Sequence, residues 1–313
     1  MIYLNRFIDG GAILIYTVTM NPAVDYTVKI PELVLGKVNR TEKEAYFFGG
    51  KGVNVSIVLH NLGIKSIALG FVAGFTGQFV RQGIYSLGIK NEFIELPSGM
   101  TRINVKIKSD KETDINSIGP AILQDSVELL FKKMEKLKDG DYLVLAGAVP
   151  KNLDAEIYSD IIRHIKARNI HVIVDAVKEY LLNTLKHNPF LVKPNRTELG
   201  QLFDREIHTE ADIVFYAKKL QEMGARNVLV SIGDKGAVLV TENSKVICHD
   251  APKGEVKNTV GAGDSLTAGF IAGYMQKKDL EYALRYGLSA GSATAFSETL
   301  ATKDEIEKIL NSY

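Results

Sequence analysis

Short, mostly apolar runs recur along this chain between segments of helical period. They are Ile67-Ala68-Leu69-Gly70-Phe71-Val72, Tyr142-Leu143-Val144-Leu145-Ala146-Gly147, Val172-Ile173-Val174-Asp175, Leu191-Val192-Lys193-Pro194 and Asn227-Val228-Leu229-Val230-Ser231. A strand that is apolar on both faces must be covered on both faces, and strands that alternate with helices join in parallel, so the pattern requires a mostly parallel sheet between two helical layers. In such α/β folds ligands bind at the loops that leave the strands. The chain has 313 residues, 46% of them hydrophobic and 24% charged, which is ample for such a core.

Two stretches depart from that alternation. Residues 25–47 and 91–118 alternate polar with apolar at period two, as in Tyr26-Thr27-Val28-Lys29-Ile30, Glu92-Phe93-Ile94-Glu95-Leu96 and Arg102-Ile103-Asn104-Val105-Lys106-Ile107-Lys108. Half-exposed antiparallel strands read this way, and both stretches are expected in one small sheet that forms a lid. A small sheet with one apolar face does not stand alone in water, so the lid is expected to pair with that of a second copy as a homodimer; packing on the main domain is the alternative.

The net charge of +1 and the lack of a basic tail exclude nucleic acid as an expected partner, and no apolar stretch reaches the roughly 18 residues that span a bilayer. Cys248 is the only cysteine, which excludes disulfides within the chain and suits a reducing cytoplasm. Met1 to Leu14 are too interrupted by Asn5, Arg6, Asp9 and Gly10-Gly11 for a signal peptide. They read as an N-terminal extension ahead of a single domain over 15–313, and a leucine codon that doubles as a start would let the native chain begin at Leu14.

Two glycine-rich turns carry the chemistry. Lys257-Asn258-Thr259-Val260-Gly261-Ala262-Gly263-Asp264-Ser265 runs into a helix and puts a lone carboxylate at its start. The glycines let backbone N–H groups approach an anion, the helix dipole favours negative charge there, and Asp264 could take a proton from an attacking hydroxyl. A capped helix after a tight turn would look the same. Phe48-Gly49-Gly50-Lys51-Gly52-Val53-Asn54 likewise opens a periodic helix (Val55, Val58, Leu59, Leu62) that ends at Gly63. Two anion sites suggest two phosphorylated groups. Neither Gly-x-x-x-x-Gly-Lys-Ser/Thr nor Gly-x-Gly-x-x-Gly occurs, so neither a P-loop nor a dinucleotide fold is indicated.

Taken in order, Thr19-Met20-Asn21-Pro22-Ala23-Val24-Asp25, Gly49-Gly50-Lys51-Gly52-Val53-Asn54, Thr101-Arg102-Ile103-Asn104-Val105, Val192-Lys193-Pro194-Asn195-Arg196-Thr197-Glu198, Ser231-Ile232-Gly233-Asp234-Lys235-Gly236 and Gly261-Ala262-Gly263-Asp264 resemble the PfkB-type sugar kinases of the ribokinase-like fold. Within them the likeness is to bacterial 1-phosphofructokinases, and it runs from about Ile15 to the C-terminus. The resemblance implies a three-layer domain with a β-sheet lid and transfer of phosphate from ATP to the C6 hydroxyl of fructose 1-phosphate. It makes Asp264 the base and the amides of Gly261, Ala262 and Gly263 the anion hole. Asp25, Gly50 and Asn54 would hold the sugar, and Lys37, Lys51 and Arg102 its phosphate. Lys193, Ser231, Gly233, Gly236, Asn258 and Gly263 would line ATP, with the small-residue run Ser289–Ala293 beside the adenine. Asn195 and Glu198 would bind Mg²⁺ through water, and a monovalent cation is left open.

The residues keep blander readings beside these: an Asx turn at Asp25, a surface lysine at Lys51, a strand ion pair at Arg102, a helix cap at Asn195 and Glu198, and close helix packing at Ser289–Ala293. One departure from the family pattern is Ala148, which stands in the turn Ala146-Gly147-Ala148-Val149-Pro150 where relatives often carry serine. Tagatose 6-phosphate and, after it, fructose 6-phosphate are alternative substrates, and a sugar-phosphate sensor is the non-catalytic alternative.

Overall fold

The protein is described here by a computed structural model, which covers residues 13–313 other than Arg168. The strands are β1 (Ile15–Thr19), β2 (Ala23–Lys29), β3 (Lys43–Gly49), β4 (Ser66–Val72), β5 (Lys90–Asn91), β6 (Ile94–Glu95), β7 (Arg102–Lys108), β8 (Thr113–Ile115), β9 (Tyr142–Ala146), β10 (His171–Asp175), β11 (Leu191–Val192), β12 (Asn227–Ser231), β13 (Ala237–Val240) and β14 (Val246–His249). The helices are α1 (Lys51–Asn61), α2 (Gly74–Ser86), α3 (Gln124–Met134), α4 (Ile157–Arg163), α5 (Glu179–Leu182), α6 (Arg196–Phe203), α7 (Glu210–Glu222), α8 (Ala262–Lys277), α9 (Leu280–Ala295) and α10 (Lys303–Ser312).

The five apolar runs form the middle of a sheet ordered β14-β13-β12-β11-β10-β9-β1-β4-β5, with β6 extending the β4 edge. Pairing is parallel from β12 to β4 and its edge partners, and only the β12–β13–β14 end is antiparallel. Alternate residues of each strand feed two separate cores. Val18, Leu143, Leu145 and Val174 pack with α3, α4 and α7 through Leu130, Ile161 and Leu220. Ile15, Tyr142, Val144 and Ile173 pack on the other face with α1, α8 and α9 through Val58, Phe270 and Leu284. This is the three-layer arrangement the two-sided strands demand.

The small sheet is ordered β3-β2-β7-β8. It takes only Arg102–Lys108 and Thr113–Ile115 from the second period-two stretch. Its first part does not join: Ile94 and Glu95 pair with Phe71 and Val72 of the main sheet. Phe93 packs with Val80 and Ile84 while Ile94 and Leu96 join the core under Val127 and Leu130, so residues 92–96 form a main-sheet edge covered on both faces. Ile13 and Leu14, read with the N-terminal extension, pack against the two cores, and Leu14 N–H donates to Asp141 Oδ1. The rest of that extension, residues 1–12, lies outside the described residues. Among the described residues no helix is long and apolar enough to cross a membrane.

Candidate active site

β1, β10, β11 and β12 all end on the same edge of the parallel sheet, and the two glycine turns deliver α1 and α8 to that edge. Gly50 has φ +114°, and a Cβ there would sit 2.6 Å from Thr19 Cγ2, so only glycine brings the start of α1 onto the end of β1. Gly261 has φ +79° and turns the chain into α8. Asp264 is thereby placed in the first turn of α8, 7% exposed, with Oδ2 accepting from Asn54 Nδ2 at 2.7 Å. Asn54, expected against the sugar, therefore holds the carboxylate, although it also lines the cleft.

A second carboxylate completes the centre. Asp175 ends β10 and is 1% exposed, with Lys51 Nζ at 2.6 Å from Oδ1 and Lys193 Nζ at 2.9 Å from Oδ2. Burial alone would raise the Asp175 carboxyl, but Lys193 and Lys51 outweigh it and hold it below its ordinary value. Burial would lower the Lys51 ammonium, yet Asp175 and Glu198 leave it raised. Asp264 goes the other way. Burial, then the Asp175 charge, push it up to about 7, against the pull of Asn54, Lys51 and Lys193. A buried carboxyl poised near neutrality beside a fixed ion-paired one is the arrangement of a general base.

The helix start gives less than three free amides. Ala262 N–H donates to Thr259 O at 3.2 Å, which leaves Gly261 and Gly263 to face an anion. A Cβ on Gly263 would lie 3.6 Å from Lys193 Nζ, so an ammonium sits against this helix start. Asn195 and Glu198 form a capping box on α6, each side chain accepting from the other's backbone N–H at 2.8 Å. The remaining Glu198 oxygen, Oε1, lies 3.8 Å from Lys51 Nζ. Asn195 also bridges to Ser231, which joins the end of β12 to this edge, and Gly233 and Gly236 shape the turn that follows. Asn258 accepts from Val260 N–H and donates to Glu298 O, fixing the loop ahead of α8. The run Ser289–Ala293 is buried in packing: a Cβ on Gly269 would come 2.7 Å from Ala290 Cβ, so these small residues serve the α8–α9 contact.

An open cleft of about 850 Å³ separates this edge from one face of the small sheet, with Asp25, Thr27 and Lys106 on one side and Asn54, Asn258 and Leu300 on the other. Asp25 accepts from Asn104 Nδ2 at 2.7 Å, and a side chain on Gly49 would collide with the Asp25 carboxylate. Arg102, half-buried, donates from Nε to Asn21 O at 3.1 Å and makes no ion pair among the described residues. Lys37 lies exposed in the turn between β2 and β3, which is closed by hydrogen bonds between Asn39 and Val34. Lys51 is committed to Asp175 and Glu198, whereas Arg102 has only its Nε bond to Asn21 O among the described residues. Asp175 escaped the sequence reading, although a carboxylate closing a two-sided parallel strand is a usable signal.

The geometry gathers a buried carboxyl, an ion-paired carboxylate, two ammonium groups and a helix start at the carboxyl edge of a parallel sheet, with a β-sheet across the cleft. Residues 13–306 match the model of the pfkB family carbohydrate kinases. The chain is 42% identical over 297 residues to the 1-phosphofructokinase of Bacillus subtilis, covering 95% of this chain and 97% of that one. It is 36% identical to the D-tagatose-1-phosphate kinase of Bacillus licheniformis, covering 94% and 97%. Phosphofructokinase-2 of Escherichia coli, solved with fructose-6-phosphate and as a tetrameric inhibited form, superposes with a TM-score of 0.89 at 27% identity, covering 96% and 99%. The chain belongs to the pfkB family of carbohydrate kinases, and its fold is ribokinase-like.

Proposed function

We propose that this chain is a cytoplasmic 1-phosphofructokinase, which transfers the γ-phosphoryl group of ATP to the C6 hydroxyl of D-fructose 1-phosphate and yields fructose 1,6-bisphosphate and ADP. The observation that carries the reading is Asp264, buried at a helix start and held by Asn54 with its carboxyl near 7. The B. subtilis relative supports the choice of sugar. As the C6 oxygen attacks phosphorus and the bond to the β-phosphate oxygen breaks, Asp264 takes the hydroxyl proton. The Gly261 and Gly263 amides and the Lys193 ammonium stabilise charge on the group in transit. Arg102 holds the sugar phosphate through its planar fork, and Asp25 accepts from the ring hydroxyls.

ATP would lie over the ends of β11 and β12, along Lys193, Ser231, Gly233 and Gly236, with Asn258 at the far side. The described residues contain no cluster of three or more His, Cys, Asp or Glu side chains suited to a metal. Glu198 Oε1, the oxygen outside the capping box, is the carboxylate that would reach the water shell of Mg²⁺ carried on the nucleotide phosphates. Mg²⁺ would neutralise phosphate charge there. The exposed Leu35, Val38, Ile115 and Ile118 on the small sheet and its loops support pairing of two copies through the lid.

The B. licheniformis relative supports a second reading, D-tagatose 1-phosphate, which carries phosphate on the same carbon. ADP release from Mg-ATP is the test, with fructose 1-phosphate, tagatose 1-phosphate, tagatose 6-phosphate and fructose 6-phosphate offered in parallel. Preference for fructose 1-phosphate is expected. Preference for another sugar would replace the substrate, and no turnover with any of them would leave a sugar-phosphate sensor.

A further inference from the structure

Asn104 lies opposite Asp25 in the β2–β7 register, on the face of the small sheet that lines the cleft with Asp25, Thr27 and Lys106. It is 6% exposed. Its amide points one way only. A carboxylate accepts and never donates when ionised, so the atom 2.7 Å from Asp25 Oδ1 must be the amide nitrogen, and the carbonyl oxygen faces elsewhere. That oxygen is buried and has no protein partner. Thr19 Oγ1 and Asn21 Oδ1, at the end of β1 and just beyond it, are buried in the same condition. Orphaned acceptors are costly inside a protein, and each one that persists calls for an explanation, a donor brought from outside the chain being one.

We infer that Asn104 is a specificity-determining residue, whose Oδ1 accepts a hydrogen bond from one ring hydroxyl of the ketose phosphate while Asp25 accepts from the neighbouring one. This rests on the ketose 1-phosphate reading above. The two acceptors are fixed relative to each other by strand register and by the Asn104–Asp25 hydrogen bond, so they match one spatial arrangement of a vicinal diol. D-fructose and D-tagatose differ only at C4, which makes the 3,4-hydroxyls of the furanose ring trans in the first and cis in the second. A rigid pair of acceptors meets both hydroxyls of one epimer and one hydroxyl of the other. The fold thus places the choice between two sugars on a side chain that touches neither the phosphate nor the transferred group.

The test is kcat and KM for fructose 1-phosphate and tagatose 1-phosphate with the wild type, Asn104→Ala and Asn104→Ser, the serine keeping a small donor and acceptor at the site. Asn104→Ala should lower the ratio of kcat/KM between the two sugars by about three- to tenfold, mainly through KM for the preferred sugar, and Asn104→Ser should restore part of it. Equal losses on both sugars in both variants would show a residue that only holds Asp25, and would overturn the inference. So would a wild type that uses both sugars equally well, which would leave the kinase reading intact. A wild type that turns over neither sugar would remove the substrate reading, and this inference with it, before any variant is made.

Discussion

The two sides of the cleft are built differently. On the sheet edge, Asp175, Lys193, Lys51, Asn54 and Asp264 are mutually paired and mostly buried, and each is anchored to an element of the main core. Across the cleft, the loop between β2 and β3 leaves Leu35 85% and Val38 84% exposed, and Arg102 feels the Asp25 charge but makes no direct ion pair among the described residues. One side pairs its charges within the chain; the other leaves a guanidinium without an ion pair and large apolar side chains exposed. On the proposed function, the difference predicts separate kinetic signatures, with rate governed by the edge and sugar capture by the small sheet.

The sharpest way to break that division is Asp264→Asn. Loss of the base should reduce kcat by about 10³-fold while KM for sugar and nucleotide changes little, as read by ADP release. The pH profile carries the same message. The base works only when deprotonated, so with Asp264 near 7 the kcat/KM of the wild type should rise with pH through about 7 and fall roughly tenfold per unit below it. Stability runs in the opposite sense. The folded carboxyl binds its proton more tightly than the unfolded one, so Asp264 costs stability above pH 7 and that cost disappears as pH falls toward the ordinary Asp range near 4. Asp264→Asn should therefore unfold at higher urea than the wild type at pH 8 and at equal urea near pH 4. A large rise in KM with kcat preserved would place Asp264 on the capture side and end the comparison.

Asp175→Asn comes next, because it leaves the buried Lys193 ammonium and the half-buried Lys51 ammonium without their shared partner. Breaking a buried ion pair by removing one member costs about 3–5 kcal/mol of stability. The same change removes the negative charge that helps raise Asp264, so the acidic limb of the pH profile should move to lower pH while kcat falls by roughly 100-fold. A merely structural aspartate would lower the unfolding midpoint and leave the limb in place. That measurement separates a residue that sets the charge of the centre from one that only fills it.

Much of this was legible in the sequence. The five apolar runs are the middle of the sheet, since a strand buried on both faces has nowhere else to go. Asp264 stood out because glycines and a helix start surround it. What local patterning could not supply was pairing at a distance. The alternation over 92–96 is real, but period two does not say which sheet an edge strand joins, and Ile94 found Phe71. Asn54 and Asp264 are 210 residues apart, and Lys51 and Asp175 are 124 apart, so the hydrogen bond and ion pair that make the centre have no local signature. Lys51 was legible as a cation at a helix start and illegible as the partner of a carboxylate. Ser289–Ala293 packs closely against α8 through Gly269 and Ala290, a contact that small side chains alone do not announce.

The capture side predicts a milder effect. Replacing Leu35 and Val38 together by Asp puts charge on exposed apolar positions without touching the sheet edge. If copies pair through this surface, sedimentation should show dissociation, with KM for the sugar phosphate raised about tenfold and kcat within a factor of a few. Unchanged mass would remove the dimer, and a fall in kcat equal to the rise in KM would deny that the two sides act separately.

The smallest expected change tests the seam between them. Ala148 is exposed in the turn after β9, next to Gly147, where a Cβ would lie 3.6 Å from Lys51 Cβ. The turn therefore borders the paired centre, and its exposed alanine offers no hydroxyl where the family resemblance implies a serine. Ala148→Ser adds one neutral hydrogen-bonding group at an exposed site, a gain of about 0.5–1.5 kcal/mol if it meets the sugar, or a two- to tenfold lower KM. Because it leaves Asp264, Lys51 and Asp175 untouched, kcat should not move. A change in kcat instead would mean that the turn acts through Lys51 on the charged centre, and the seam would belong to the edge rather than to the sugar.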